Sequence, residues 1–284
     1  MKQFTCVALL LMCSQAITSE AQRASRDPGF NGQIMFGGVY LSSADNLSVT
    51  DEETIINDLS SAPATENRAV PGLIGEVNYT FEDRENQLFI GLNRIKVIRG
   101  DFAPEFGYRY YFGQRSKVEV AYLPGVTGGD TWSDPFLTNA ERTTTSRETS
   151  GFRVRGEALF DLFSIEYAQG DRSIKRDRSG ASLNLTPEQR NSLIRDADLE
   201  YLSIETTFPI AKGVMVTPGV YRYAEDAVGD ANDFDLLGAE LSLVYRNGAH
   251  MFAGVVGYEM LDFSSVNPVF NVERDENSMT YFGL

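Results

Sequence analysis

Phe102-Ala103-Pro104-Glu105-Phe106-Gly107-Tyr108-Arg109-Tyr110-Tyr111-Phe112 is the stretch on which the fold turns. Its even positions, Phe102, Pro104, Phe106, Tyr108, Tyr110 and Phe112, are apolar or aromatic, whereas Glu105, Gly107 and Arg109 fall on odd ones. Successive side chains of an extended chain point to opposite sides, so the segment reads as a β-strand with one greasy and one polar face. The pattern recurs on both sides of it. Phe152, Val154, Ala158 and Phe160 share a face against Arg153, Arg155 and Glu157. Leu73, Val77, Tyr79 and Phe81 oppose Glu76, Asn78 and Thr80, and Leu237, Leu241, Leu243 and Tyr245 oppose Gly238, Glu240 and Ser242.

Period-two alternation predicts twelve strands, near 30–42, 72–81, 87–97, 101–112, 117–124, 148–160, 163–170, 199–208, 214–224, 234–245, 249–261 and 276–284. The facing of 87–97, 214–224 and 249–261 is left unassigned by the pattern. Every second connection is short: Glu82–Asn86, Gly113–Ser116, Asp161–Leu162, Pro209–Gly213 and Arg246–Gly248. The others are mostly long, at 43–71, 125–147 and 171–198, with 98–100 the exception. Alternating short turns and long loops is the layout of a transmembrane up-and-down β-barrel, with tight turns in the periplasm and loops outside. A soluble barrel or sandwich would bury the same apolar face that a membrane barrel turns to lipid. The even strand count, the loop asymmetry and a chain ending at Tyr281-Phe282-Gly283-Leu284, inside its last strand, favour the membrane form, in which open edges would leave backbone groups unsatisfied. Tyr40, Tyr79, Phe81, Phe112, Tyr122 and Tyr245 sit at strand ends, where an aromatic girdle lies.

The start of the chain supplies an address. Met1-Lys2-Gln3 precedes an apolar run from Phe4 to Cys13, and small-x-Ala cleavage sites follow at Ser14-Gln15-Ala16 and Ser19-Glu20-Ala21. This is the layout of a secretory signal peptide over residues 1–21, too short to span a bilayer. Cys6 and Cys13 are the only cysteines, so cleavage leaves no thiol in the exported barrel, residues 22–284. The expected location is the outer membrane of a Gram-negative cell. The formal charge of −15 makes nucleic acid an unsuitable partner, because phosphate binding needs a basic face. The expected partners are outer-membrane lipid, lipopolysaccharide and, during biogenesis, the barrel-assembly machinery.

Tyr122-Leu123-Pro124-Gly125-Val126 and Gly129-Asp130-Thr131-Trp132-Ser133-Asp134-Pro135-Phe136 resemble a segment shared by an uncharacterised group of gammaproteobacterial outer-membrane proteins, domain-of-unknown-function family 2860. Asn78-Tyr79-Thr80-Phe81, Phe106-Gly107-Tyr108-Arg109-Tyr110 and Asn267-Pro268-Val269-Phe270 are similar to it as well. The resemblance spans the exported chain. It implies an outer-membrane β-barrel and brings no activity. Outer-membrane barrels commonly end on an aromatic residue, whereas Phe282 is followed here by Gly283 and Leu284.

No catalytic residues are assigned. His250 is the sole histidine and lies beside the turn Asn247-Gly248, away from the outer rim where a Ser–His pair would act. Asp230-Ala231-Asn232-Asp233-Phe234-Asp235 begins like a calcium loop but has Asp235 where glycine is required and Leu241 where the closing Glu belongs. No metal or cofactor is expected. Placing the polar faces inward gives an interior with Glu76, Glu105, Glu119, Glu157, Glu166, Glu205 and Glu240, with Glu259 at the margin of the set. Against these stand Arg109, Lys117, Arg153 and Arg155. Buried charges must be paired or hydrated, so they either line a pore favouring cations and polar solutes or fill the interior with salt bridges. An acid-rich interior argues against acidic saccharides as cargo. In the loops, Trp132, Asp134 and Phe136 form a candidate anchor, either packing the loop or presenting a ligand platform. Thr186-Pro187-Glu188-Gln189 predicts a helix start, the helix running to about Arg195 and packing through Leu193 and Ile194.

Two functions follow from this reading: a channel for small polar or cationic solutes, or a non-conducting surface protein whose acidic loops bind a partner.

Overall fold

The computed structural model describes residues 26–43, 49, 54–60, 66–92, 104–113, 115–125, 129–247, 250–273 and 275–283, and within these the side chains outside 33–43, 66–74, 92, 250–251, 253 and 275–283. The expected leader, with both cysteines, lies outside the described residues, as do the 98–100 connection and the expected end of the third strand. Among the described residues the chain is built from β1 (Gly29–Ser43), β2 (Glu66–Thr80), β3 (Asn86–Leu92), β4 (Pro104–Phe112), β5 (Ser116–Leu123), β6 (Asp130–Trp132) and β7 (Thr144–Leu159). After these come β8 (Phe163–Ile174), α1 (Pro187–Asn191), β9 (Ala197–Thr206), β10 (Phe208–Ala211), β11 (Val214–Ala227), β12 (Phe234–Asn247), β13 (His250–Phe263) and β14 (Asp275–Gly283).

Twelve of the strands pair in the order β1-β2-β3-β4-β5-β7-β8-β9-β11-β12-β13-β14, while β6 pairs at the side with β7 and β10 with β11. Every pairing is antiparallel, and each neighbour on the path follows in sequence. The chain is therefore an all-β, up-and-down antiparallel sheet, as the alternation predicts.

Apart from strands, the described residues hold only the five-residue α1 and a 3-10 turn at Asp230–Asn232, neither able to cover a sheet. Yet the polar face is the buried one. Glu119 is 4% exposed and Arg153 6%, whereas Tyr108, Val154, Leu237 and Val256 on the other face are open. With no second layer among the described residues to cover it, the polar face is buried by the sheet's own curl. Ion pairs that skip a strand agree: Arg109 on β4 reaches Glu76 on β2, and Arg155 on β7 reaches Glu205 on β9. The greasy positions read from Phe106, Tyr108, Tyr110 and Phe112 are on the convex face.

Several boundaries differ from those expected. β1 continues to Ser43 and β2 begins at Glu66, inside the loop expected at 43–71; β7 begins at Thr144 and β8 continues to Ile174, shortening the loops expected at 125–147 and 171–198. The ladder explains this. β1 and β2 pair from Gly29↔Thr80 to Ser43↔Glu66, and backbone hydrogen bonding continues past the last apolar residue. The last expected residues of the strand at 148–160 also need correction: Phe160 belongs to a turn in which Ala158, Phe160 and Asp161 take positive φ, and a register shift separates Gly156 from the Leu159↔Phe163 pair. β9 ends at Thr206, two residues before the expected limit, and Phe208–Ala211 forms the separate β10. The short turn after β2 is fixed by Asp83, whose Oδ1 accepts from Glu85 N–H and Asn86 N–H.

Candidate functional site

The strand register lays one row of inward side chains around the concave face: Gln87, Arg109, Glu119, Arg155, Glu166, Ser203, Tyr221, Gly238 and Glu259 occupy directly paired positions from β3 to β13. Glu76, Glu105, Lys117, Arg153, Glu157, Glu205 and Glu240 lie on the same face at neighbouring levels. All eleven charges picked from the alternation thus share one face of the sheet, along which the structure divides them into two walls.

On the β2–β9 wall every candidate base meets at least two carboxylates. Arg109 bonds Glu76 (2.8 Å) and Glu119 (2.7 Å), and Lys117 bonds Glu119 (2.8 Å) and Glu157 (3.0 Å). Arg153 bonds Glu105 (3.0 Å), Glu119 (3.4 Å) and Glu166 (3.6 Å). Arg155 bonds Glu166 (3.0 Å), Glu205 (2.8 Å) and Glu157 (3.7 Å). Gly107 makes room for part of this. A Cβ there would lie 2.3 Å from the Phe89 ring, so the ring lies over bare backbone, with the Arg109 guanidinium 4.4 Å above its centre.

The β11–β13 wall is different. Tyr221 donates to the Glu259 carboxylate across Gly238, where a Cβ would collide with the Tyr221 ring at 2.2 Å. Glu205 and Glu240 face each other across Gly219. Among the described residues no cation is within ion-pair distance of Glu240. The sequence reading missed Tyr201 and Tyr221 as interior residues. Their signal was odd-number parity with Ser203 and Glu205, or Gly219 and Tyr223, which an apolar count of tyrosine conceals.

The loop candidates occupy a second, separate cluster. Trp132, 1% exposed, carries the Arg142 guanidinium 4.2 Å over its ring. Asp134 accepts from Phe136 N–H (3.1 Å), Gly180 N–H (3.0 Å) and Ser182 N–H (2.8 Å), tying its loop to the one after β8. Phe136 meets Phe270 edge-on with centroids 6.1 Å apart. Arg195, not singled out from the sequence, donates to Thr131 Oγ1 (3.1 Å), Trp132 O (2.8 Å) and Asp177 Oδ1 (2.9 Å). Burial pushes the Asp177 carboxyl up, but the Arg195 guanidinium, Ser179 and the Arg195 backbone N–H together hold it below the ordinary aspartate range.

The helix starts as read, with a capping box between Thr186 and Gln189, but it stops at Asn191 and does not reach Arg195. Beyond it the backbone serves other loops: Ile194 O accepts from Gly229 N–H and Asn232 Nδ2, and Leu193 is buried. Gly180 takes φ +74°, a left-handed conformation that favours glycine, and a Cβ there would press on the ends of Leu193 and Leu185. The Asp230–Asp235 stretch begins with the 3-10 turn, and no group of three or more His, Cys, Asp or Glu able to hold a metal occurs among the described residues. His250 pairs with Asn247 across the short turn.

Residues 29–283 match the model of a family described as "Protein of unknown function (DUF2860)". None of the curated proteins matches the chain. Among solved structures it is similar to OmpT, an outer membrane protein of Vibrio cholerae. The outer-membrane expressed form shares 13% identity over 89% of this chain and 78% of that one, with a TM-score of 0.48. The in-vitro folded form shares 14% over 87% and 74%, with a TM-score of 0.44.

Proposed function

This chain belongs to the DUF2860 family, and we propose that it is an outer-membrane β-barrel, closed by β14 against β1, that conducts small polar or cationic solutes across the outer membrane of a Gram-negative cell. One observation carries the reading: the sheet buries its charges and exposes its grease. Ile90 is 55% exposed and Tyr122 55%, with Phe106, Phe152, Ile204 and Leu241 similarly open on the same convex face. In water that surface would be a large apolar patch with nothing to cover it; in hydrocarbon it is the required one. Phe81, Phe112, Phe208 and Tyr245 at the short-turn end fit an interfacial girdle, and turn length favours the periplasm for that end and the outside for the long loops. Lipid and lipopolysaccharide are then the surroundings of the convex face, and the barrel-assembly machinery its route of insertion.

The solute class follows from the uneven interior. All four candidate bases are held between carboxylates, so they offer little attraction to an anion. The surplus acid lies on the β11–β13 wall at Glu240, which faces Glu205 across Gly219, and there the potential favours cations. Planar-bilayer recording of the refolded protein tests this. Discrete steps with a reversal potential on the cation side are expected, and Glu240→Gln should reduce the cation preference. Anion preference, or no change in Glu240→Gln, overturns the solute assignment.

The salt-bridged β2–β9 wall favours a second reading, a non-conducting surface protein whose interior is filled and whose acidic loops bind a partner. Silence in the bilayer, with heat-modifiable folding intact, supports that reading over the first. Neither reading includes a catalytic role.

A further inference from the structure

The loops at the long-loop end are joined to one another, and the joins cross the sheet. Arg142 N–H donates to Thr54 O (2.8 Å) and Asn139 N–H to Ile56 O (2.7 Å), linking the β5–β7 loop to the β1–β2 loop. Ser133 O accepts from Arg178 N–H (2.8 Å), linking the same loop to β8–β9. The Phe136–Phe270 contact links it to β13–β14. Neighbouring strands are ~4.8 Å apart, so β7 and β13, five steps apart on the path, are separated by about 24 Å measured along the sheet. In a ring of the twelve path strands the β5–β7 and β13–β14 connections stand diametrically opposite. A loop that meets its neighbour on one side, the next but one on the other and the loop facing it runs over the mouth.

Side chains hold it there. Arg195 fastens Thr131, Trp132 and Asp177 in one node, and Asp134 collects backbone N–H groups from both loops. The β8–β9 loop is fastened in turn to β11–β12, through Gly229 N–H to Ile194 O, and that loop to β13–β14, through Ser264 N–H to Asp233 O. We infer that residues 129–143, clamped by residues 175–196, form a lid across the long-loop mouth and limit access to the interior from outside. The inference rests on the barrel reading but not on conduction.

The exported chain has no cysteine of its own, so one introduced thiol reports access. In Ser242→Cys the thiol is placed on the inward face of β12. Intact cells making this protein would be treated with a bulky, membrane-impermeant maleimide, which must enter through the loops. Slow labelling is expected. Adding Arg195→Met, which empties the node, or Phe136→Ala, which leaves the node intact and removes the ring contact with Phe270, should speed labelling by about tenfold or more, since each shifts the lid toward its open population. Heat-modifiable migration identifies the variants that fold, and Phe136→Ala keeps the test alive where Arg195→Met does not. Fast labelling with the lid intact overturns the inference. So does an unchanged rate in variants whose residues 129–143 are cut faster by protease. A faster rate in the variants, with silence of all forms in the bilayer, upholds the lid and removes the conduit.

Discussion

Glu119 shows what a charge needs in order to stay inside this sheet. It is buried and touched by three cations: Arg109 Nε at 2.7 Å, Lys117 Nζ at 2.8 Å and Arg153 Nη2 at 3.4 Å. Removing one partner of a buried ion pair leaves the other charge without compensation, at a cost of about 3–5 kcal/mol. Glu119→Ala should therefore lower stability by about that amount in urea unfolding of the lipid-inserted protein. Glu240→Ala, which has no cation among the described residues to strand, should cost far less. Equal losses at the two sites would mean that pairing is not what retains Glu119. Polarity made Glu119 and Glu240 equally legible in the sequence. It could not tell them apart, because which acid meets a base depends on register across strands far apart in the chain. Tyr221 was harder still. Its ring is apolar, but its hydroxyl has its partner at Glu259, and only the bare backbone of Gly238 lets the ring lie between them.

A strand states its facing through the alternation of neighbours, and β7 is the sharpest case. Arg153 and Arg155 are inside, and Val154 between them is outside. An arginine on the lipid face near the midplane costs about 2–4 kcal/mol, so Val154→Arg, like Tyr108→Arg on β4, should destabilise the inserted protein by that much. Folding yields and urea midpoints indistinguishable from the parent would reverse the facing of both strands. This level of structure was readable because a two-sided environment imposes period two. Where the residues stop alternating apolar with polar, the period vanishes while the ladder continues, which is why the Glu66–Pro71 start of β2 and the Thr144–Arg147 start of β7 escaped the pattern. The lid escaped it for a related reason. Trp132, Asp134 and Phe136 were conspicuous as residue types, but Arg142, Asp177 and Arg195 find their partners across loops that follow no repeat. Thr186 was legible because a helix start is written in four consecutive residues.

At the scale of the whole molecule two assemblies share one chain and are held by different forces. The sheet depends on a surrounding apolar phase and an ion-paired interior; the lid depends on hydrogen bonds in water. The sole tryptophan, Trp132, belongs to the lid, so its emission reports the lid alone, while far-ultraviolet circular dichroism reports the sheet. Acid should separate them. The Asp177 carboxyl titrates below its value in an unfolded chain, so its support for the lid is complete above the ordinary aspartate pKa of about 3.9 and drains away as pH falls from there through the lower folded value. Protonation removes the charge from the Arg195 node and loosens the hold on Thr131 and Trp132. On lowering the pH through that window, the tryptophan emission should shift to the red while the β-sheet dichroism holds, and the shift should reverse on neutralisation. Asp177→Asn should show the red-shifted emission already at neutral pH and lose most of the acid dependence. A single transition, coincident by both probes, would show instead that lid and sheet form one cooperative unit, with Asp177 no more than a spectator to its unfolding.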